Sequence, residues 1–245
     1  MSVDARPNEL LPRPPKPPRR LPEPAGIFAF APNRETLGAT AYLIVGNDSV
    51  GDGSRAVGDV LVDCPAWEAT NREFLRDRPI RWLFLTHRGA AARVAQWQAE
   101  LNCAVVVQEQ EAYLLPEVET TPFQSEIALE LPGLEPCLGL WTCGHTPGSA
   151  CLYLARAGGV LFSGRHLLPD TRGQVVPLRA AKTFHWWRQL DAVQALRDRF
   201  TPETLRYLCP GANTGFLRGR GIVADAYMHL AALDLLALRQ GKPGL

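Results

Sequence analysis

The segment Cys143-Gly144-His145-Thr146-Pro147-Gly148-Ser149 constrains this chain more than any other stretch. Two glycines and a proline within seven residues set a tight turn. Apolar runs flank it at 137–142 and 150–154, and both read as strands, so a histidine is held at a turn between two strands. A second turn at Gly158-Gly159 leads into a further apolar run, 160–162, which continues as Ser163-Gly164-Arg165.

The remaining pattern alternates strands and helices. The first half predicts strands at 41–45, 59–63, 81–86 and 104–107, a hairpin connection over 46–58, and helices at 67–78 and 90–101. The second half predicts strands at 126–131 and 205–209, a helix at 186–200, and one long helix at 221–239. That last helix is apolar on most sides and is expected to pack between other elements. Two mixed α/β halves with their helices outside predict a four-layer αββα sandwich.

With 245 residues, 46% of them hydrophobic and 21% charged, the chain is long enough to bury one such core over residues 26–245. Residues 1–24 hold eight of the 21 prolines and predict a proline-rich disordered or polyproline-II tail over 1–25. Lys+Arg is 26 and Asp+Glu is 25, a net charge of +1 that argues against nucleic acid as a partner. Arg218-Gly219-Arg220-Gly221 is a small basic turn without interleaved aromatics. No apolar run reaches the roughly 18–20 residues of a membrane span, and the N-terminus lacks a signal-peptide core. Six scattered cysteines with no C-x-x-C then predict a cytoplasmic protein with reduced thiols.

Five short segments each follow a predicted strand. They are Val62-Asp63-Cys64-Pro65, Thr86-His87-Arg88-Gly89-Ala90-Ala91-Ala92, the Cys143 to Ser149 turn, Leu161-Phe162-Ser163-Gly164-Arg165, and Cys209-Pro210-Gly211-Ala212-Asn213. In this order and spacing they resemble the metallo-β-lactamase superfamily over residues ~26–240. The resemblance implies an αββα sandwich with a site for one or two metal ions, usually zinc, at one edge between the sheets. In active members the metal turns water into a nucleophile near neutral pH.

Against that pattern most ligand positions are lost. His87 stands at the first histidine position and His145 is retained. Gly89, Ala91 and Ala92 replace the next His, the Asp and the third His, Arg165 replaces the bridging Asp, and Ala212 replaces the last His. Glycine and alanine offer no lone pair, and a guanidinium is only a donor. The Arg165 guanidinium is therefore expected in the vacated metal space as a built-in cation, with Asp63 as its partner. Arg88, Arg165 and Arg93 with the two histidines form a candidate anion pocket. The alternative is a single zinc or similar divalent ion on His87 and His145, with Cys143, Cys209 or Asp63 as third ligand.

His166 follows Arg165 and either orients it or faces the loop. His185, Trp186 and Trp187 form either a ligand wall or partner surface, or the buried first turn of a helix. Asp225 and His229 read as a helix-surface pair. The expected function is a non-catalytic pseudoenzyme without a cofactor, with a binding, assembly or regulatory role toward a small anionic ligand or a protein partner. The alternative is a hydrolase of thioesters, lactones, lactams or phosphoesters with a mononuclear or rebuilt site. A third reading is metal-free acid/base chemistry on His87 or His145 with Arg165 stabilising an oxyanion.

Overall fold

In the computed structural model, residues 16–46, 58–131 and 135–241 are described. The chain runs β1 (Arg19–Arg20), β2 (Ile27–Ala29), β3 (Tyr42–Ile44), β4 (Asp59–Val62), α1 (Ala69–Leu75), β5 (Ile80–Phe84), α2 (Val94–Leu101), β6 (Ala104–Gln108), α3 (Glu109–Ala112) and β7 (Thr120–Phe123). The second half runs β8 (Glu126–Ala128), β9 (Cys137–Trp141), β10 (Ala150–Leu154), β11 (Val160–Gly164), β12 (Leu167–Pro169), β13 (Val175–Pro177), α4 (Trp186–Arg199), β14 (Tyr207–Pro210), β15 (Val223–Ala224), α5 (Ala226–Ala231) and α6 (Leu235–Gln240).

Strands β1 to β7 form one sheet in sequence order; the other has the order β15-β14-β11-β10-β9-β8. The period of two in the central strands makes the layers. Val60 and Val62 of β4 face the core between the sheets, with Phe84, Leu152 and Phe162, while Leu61 faces the other way. Leu61, Leu83 and Val105 pack under Leu75 of α1 and Trp97 of α2. On the far side, Cys151, Leu161 and Leu208 pack under Leu190 and Val193 of α4. Helices therefore cover both sheets, giving the αββα sandwich. The pairs β4·β5, β5·β6 and β11·β14 are parallel, so their carboxyl ends open at a common edge within each sheet.

Some expectations are corrected. The long helix over 221–239 is instead β15, α5 and α6. Asp225 takes a left-handed φ of 51° ahead of α5, and the Asp234 carboxylate accepts from Ala237 N at 2.9 Å to begin α6. Apolar periodicity runs across both breaks because Val223, Leu230 and Leu235 are all buried. The tail is not set apart as far as residue 25. Arg19 and Arg20 pair with Ala29 and Phe28, and Leu21 is buried in the central core; residues 1–15 lie outside the described residues. Most of the hairpin connection at 46–58 also lies outside them, although β3 and β4 pair antiparallel as it requires. Strands β2, β7, β12 and β13 have no counterpart in the sequence pattern, being short or bounded by proline. No helix among the described residues is long and apolar enough to cross a membrane.

Candidate functional site

Backbone bonds knit the strand ends into one edge. Asp63 N donates to Phe84 O at 2.9 Å, and Ala150 N crosses between the sheets to Thr86 O at 2.8 Å. Gly211 N donates to Gly164 O, and Thr40 N to Gly211 O, both at 2.7 Å. Gly164 has φ 52°, and a Cβ there would fall 2.4 Å from Thr86 Oγ1. Only glycine allows this approach of β11 to the end of β5.

On this frame Asp63, Thr86 and His87 form a buried chain. Thr86 N and Thr86 Oγ1 both donate to the Asp63 carboxylate at 2.8 Å, and Thr86 Oγ1 lies 3.1 Å from His87 Nδ1. Burial pushes the Asp63 carboxyl up to about 7, against the opposing pull of the Thr86 bonds and the Arg165 charge. When Asp63 is ionised it takes the Thr86 hydroxyl proton as a hydrogen bond, so His87 Nδ1 must carry a hydrogen and Nε2 is bare. When Asp63 is protonated it donates to Thr86, which turns its hydroxyl to Nδ1 and leaves the hydrogen on Nε2. The His87 tautomer is thus expected to exchange near pH 7. Nitrogen NMR of the ring should show the hydrogen move from Nε2 to Nδ1 as pH rises through 7, and Asp63→Asn should fix it on Nε2. An unmoved tautomer in the wild type would rule this coupling out.

The His87 and His145 rings meet edge to face, with centroids 5.3 Å apart. Burial holds His87 well below the ordinary imidazole value, helped by His145, Arg165 and Arg88. Burial, with the charges of Arg165 and Arg88, brings His145 down to about 4. Both rings are therefore neutral at pH 7. His145 Nδ1 is buried without a protein partner.

The residues present do not fit a zinc ion. Among the described residues no group of three His, Cys, Asp or Glu is placed to hold a metal. Both Asp63 oxygens are taken by Thr86, and Cys209 is buried in the core between the sheets. The Cys143 thiol feels Arg188 and Asp191 of α4. None of the three anticipated third ligands joins the histidine pair.

Arg165 is near this pair but its partner is not Asp63, which corrects the sequence expectation. The guanidinium donates to Leu37 O at 2.6 Å and Thr36 O at 3.3 Å. It makes no ion pair with Asp63 and acts on it through space. The guanidinium therefore anchors the 33–39 loop over the strand ends. The anion pocket is not assembled either: Arg93 pairs with Glu35 at 3.5 Å, Arg165 is on carbonyls, and the Arg88 side chain is exposed.

His166 is 1% exposed, and neither ring nitrogen has a protein partner. It makes no bond to Arg165; its carbonyl accepts from Gln189 Nε2 at 3.1 Å. Burial, with His145, pulls it down to about 3. His185 is the N-cap of α4, its Nδ1 accepting from Arg188 N at 3.2 Å. Trp186 packs on the α4–α6 core and donates to Leu238 O at 3.1 Å, whereas Trp187 is exposed. Of the pair, only Trp186 is packed at the start of the helix as the structural reading expects.

Sequence reasoning missed Glu111. This buried carboxylate accepts from Arg88 N at 2.5 Å and Gly148 N at 3.2 Å, tying the His87 loop to the His145 turn. Its one signal was position, just past the end of β6 at the same edge. Beside it opens a cavity of about 540 Å³. Gly89, Ala91 and Ala92, which the sequence resemblance sets at ligand positions, line it together with Leu37, Leu114 and Leu115; Glu35, Arg88 and Glu111 are its charged groups.

Solved structures share this fold. A metallo-β-lactamase from Pontibacter korlensis superposes with a TM-score of 0.64 at 15% identity, covering 91% of this chain and 100% of that one. A metallo-β-lactamase family protein from Thermus thermophilus gives 0.59 at 20% identity, covering 88% and 79%. A metallo-β-lactamase superfamily protein from Sulfolobus tokodaii gives 0.58 at 13% identity, covering 88% and 99%. No family model and no curated protein matches the chain. The chain has the metallo-β-lactamase fold, and among its described residues no three His, Cys, Asp or Glu are grouped to hold a metal.

Proposed function

We propose that this protein is a non-catalytic binding protein on the metallo-β-lactamase fold, working without a metal in its cleft. The observation that carries this is the fate of the ligand positions: Gly89, Ala91 and Ala92 line a largely apolar cavity. Arg165 supports it, because its charge is spent on holding Leu37, which lines the same cavity. The lining favours a small apolar ligand over an anion, since two carboxylates face one arginine there. Acid/base chemistry is disfavoured because His145, at about 4, is a weak base at neutral pH. The six free cysteines fit the cytoplasm. The test is turnover of ester, thioester, lactone and β-lactam substrates with and without added zinc. No turnover above background is expected. Turnover that His145→Ala abolishes would establish the hydrolase reading instead.

A further inference from the structure

Away from the histidine cleft, a cavity of about 420 Å³ opens between the β12–β13 turn, the turn after β14 and the start of α5. Arg172, Arg218 and Arg220 all line it, with His229, Asp225 and the ring of Phe216. None of the three arginines forms an ion pair or a side-chain hydrogen bond among the described residues, and neither does the Asp225 carboxylate. Three unpaired guanidinia facing one carboxylate make a local positive excess on a chain whose net charge is only +1.

The walls are held in place. Asp170 Oδ1 accepts from Arg172 N at 2.8 Å and Gln174 N at 2.9 Å, closing the β12–β13 turn. Arg220 N donates to Leu217 O at 3.0 Å, and Arg19 of β1 donates to Gly219 O. Guanidinium forks match phosphate oxygens two at a time, and an exposed aromatic ring beside them offers a face for a planar body. A cavity of this size holds a small ligand.

We infer that this pocket binds a phosphorylated small molecule, with the phosphoryl groups on Arg172, Arg218 and Arg220 and an aromatic body against Phe216. The proposal is independent of what the histidine cleft does. The test is calorimetric titration of the full chain at low salt with pyrophosphate, ADP, adenosine and a short single-stranded oligonucleotide. ADP is expected to bind more tightly than pyrophosphate, and adenosine not measurably. Arg172→Gln and Arg220→Gln should each weaken ADP about tenfold without changing thermal unfolding, and Phe216→Ala should weaken ADP but not pyrophosphate. The proposal is overturned if pyrophosphate and ADP fail to bind, if both arginine variants bind as the wild type does, or if the oligonucleotide binds more tightly than ADP.

Discussion

Replacing Gly164 by alanine is expected to destabilise the fold by about 2–5 kcal/mol. Two effects add. The residue sits at φ 52°, where an L side chain strains the backbone. The new Cβ would also fall 2.4 Å from Thr86 Oγ1 and 2.6 Å from Thr86 Cβ. Thr86 cannot yield, because its hydroxyl and amide are both bound to buried Asp63. The opposite side is closed as well: a Cβ on Gly211 would come within 2.7 Å of Gly164 Cα. For a domain of ordinary stability such a loss is a large share of the total. Urea unfolding of the variant should show it, and a change under about 1 kcal/mol would mean that the strand ends are looser than described.

Stability is expected to fall steeply as the medium is acidified from about pH 6.5 to 5. Three buried histidines drive this. His87, His145 and His166 all titrate in the folded chain below their ordinary value of 6.5, with His145 at about 4 and His166 at about 3. Their contribution is complete above that ordinary value. It is lost as pH falls towards the folded values, because the unfolded chain takes up protons that the folded chain refuses. Each group contributes up to about 1.4 kcal/mol per pH unit. Asp63 acts oppositely: raised from 3.8 to about 7, it favours the fold at low pH and loses that contribution as pH rises through 7. Three histidines outweigh one carboxyl across this acid range, so the net effect is acid lability. Replacing His166 with leucine removes two unpartnered buried nitrogens and should flatten the curve by about one proton's slope. Thermal melts from about pH 7.5 to 5 on both proteins check this. A wild-type melting temperature that stays level across that range would contradict it.

What is legible in the sequence is what has a local signature. His87, His145, Arg165 and Ala212 each follow a strand whose apolar run is plain, so their common edge can be read from the pattern alone. The partner of Arg165 is not legible, since backbone carbonyls at Thr36 and Leu37 carry no residue-type signal and lie far away in the chain. Charge complementarity points to Asp63, but that carboxylate is satisfied by Thr86 on the adjacent strand end. Glu111 is hidden in a polar stretch, Gln108 to Glu111, that reads as solvated surface. The break of the last helix escapes because Asp225 and Asp234 interrupt it without disturbing the apolar pattern. Periodicity reports which residues are buried and says little about where a helix ends.

The central proposal is that this cleft holds no metal ion, and metal content measures it most directly. Protein purified without chelator is analysed for zinc, manganese and iron, then titrated with zinc, alongside His87→Ala. The account predicts well under one ion per chain and weak zinc binding that His87→Ala leaves unchanged. One tightly held ion per chain, lost in His87→Ala, would contradict it.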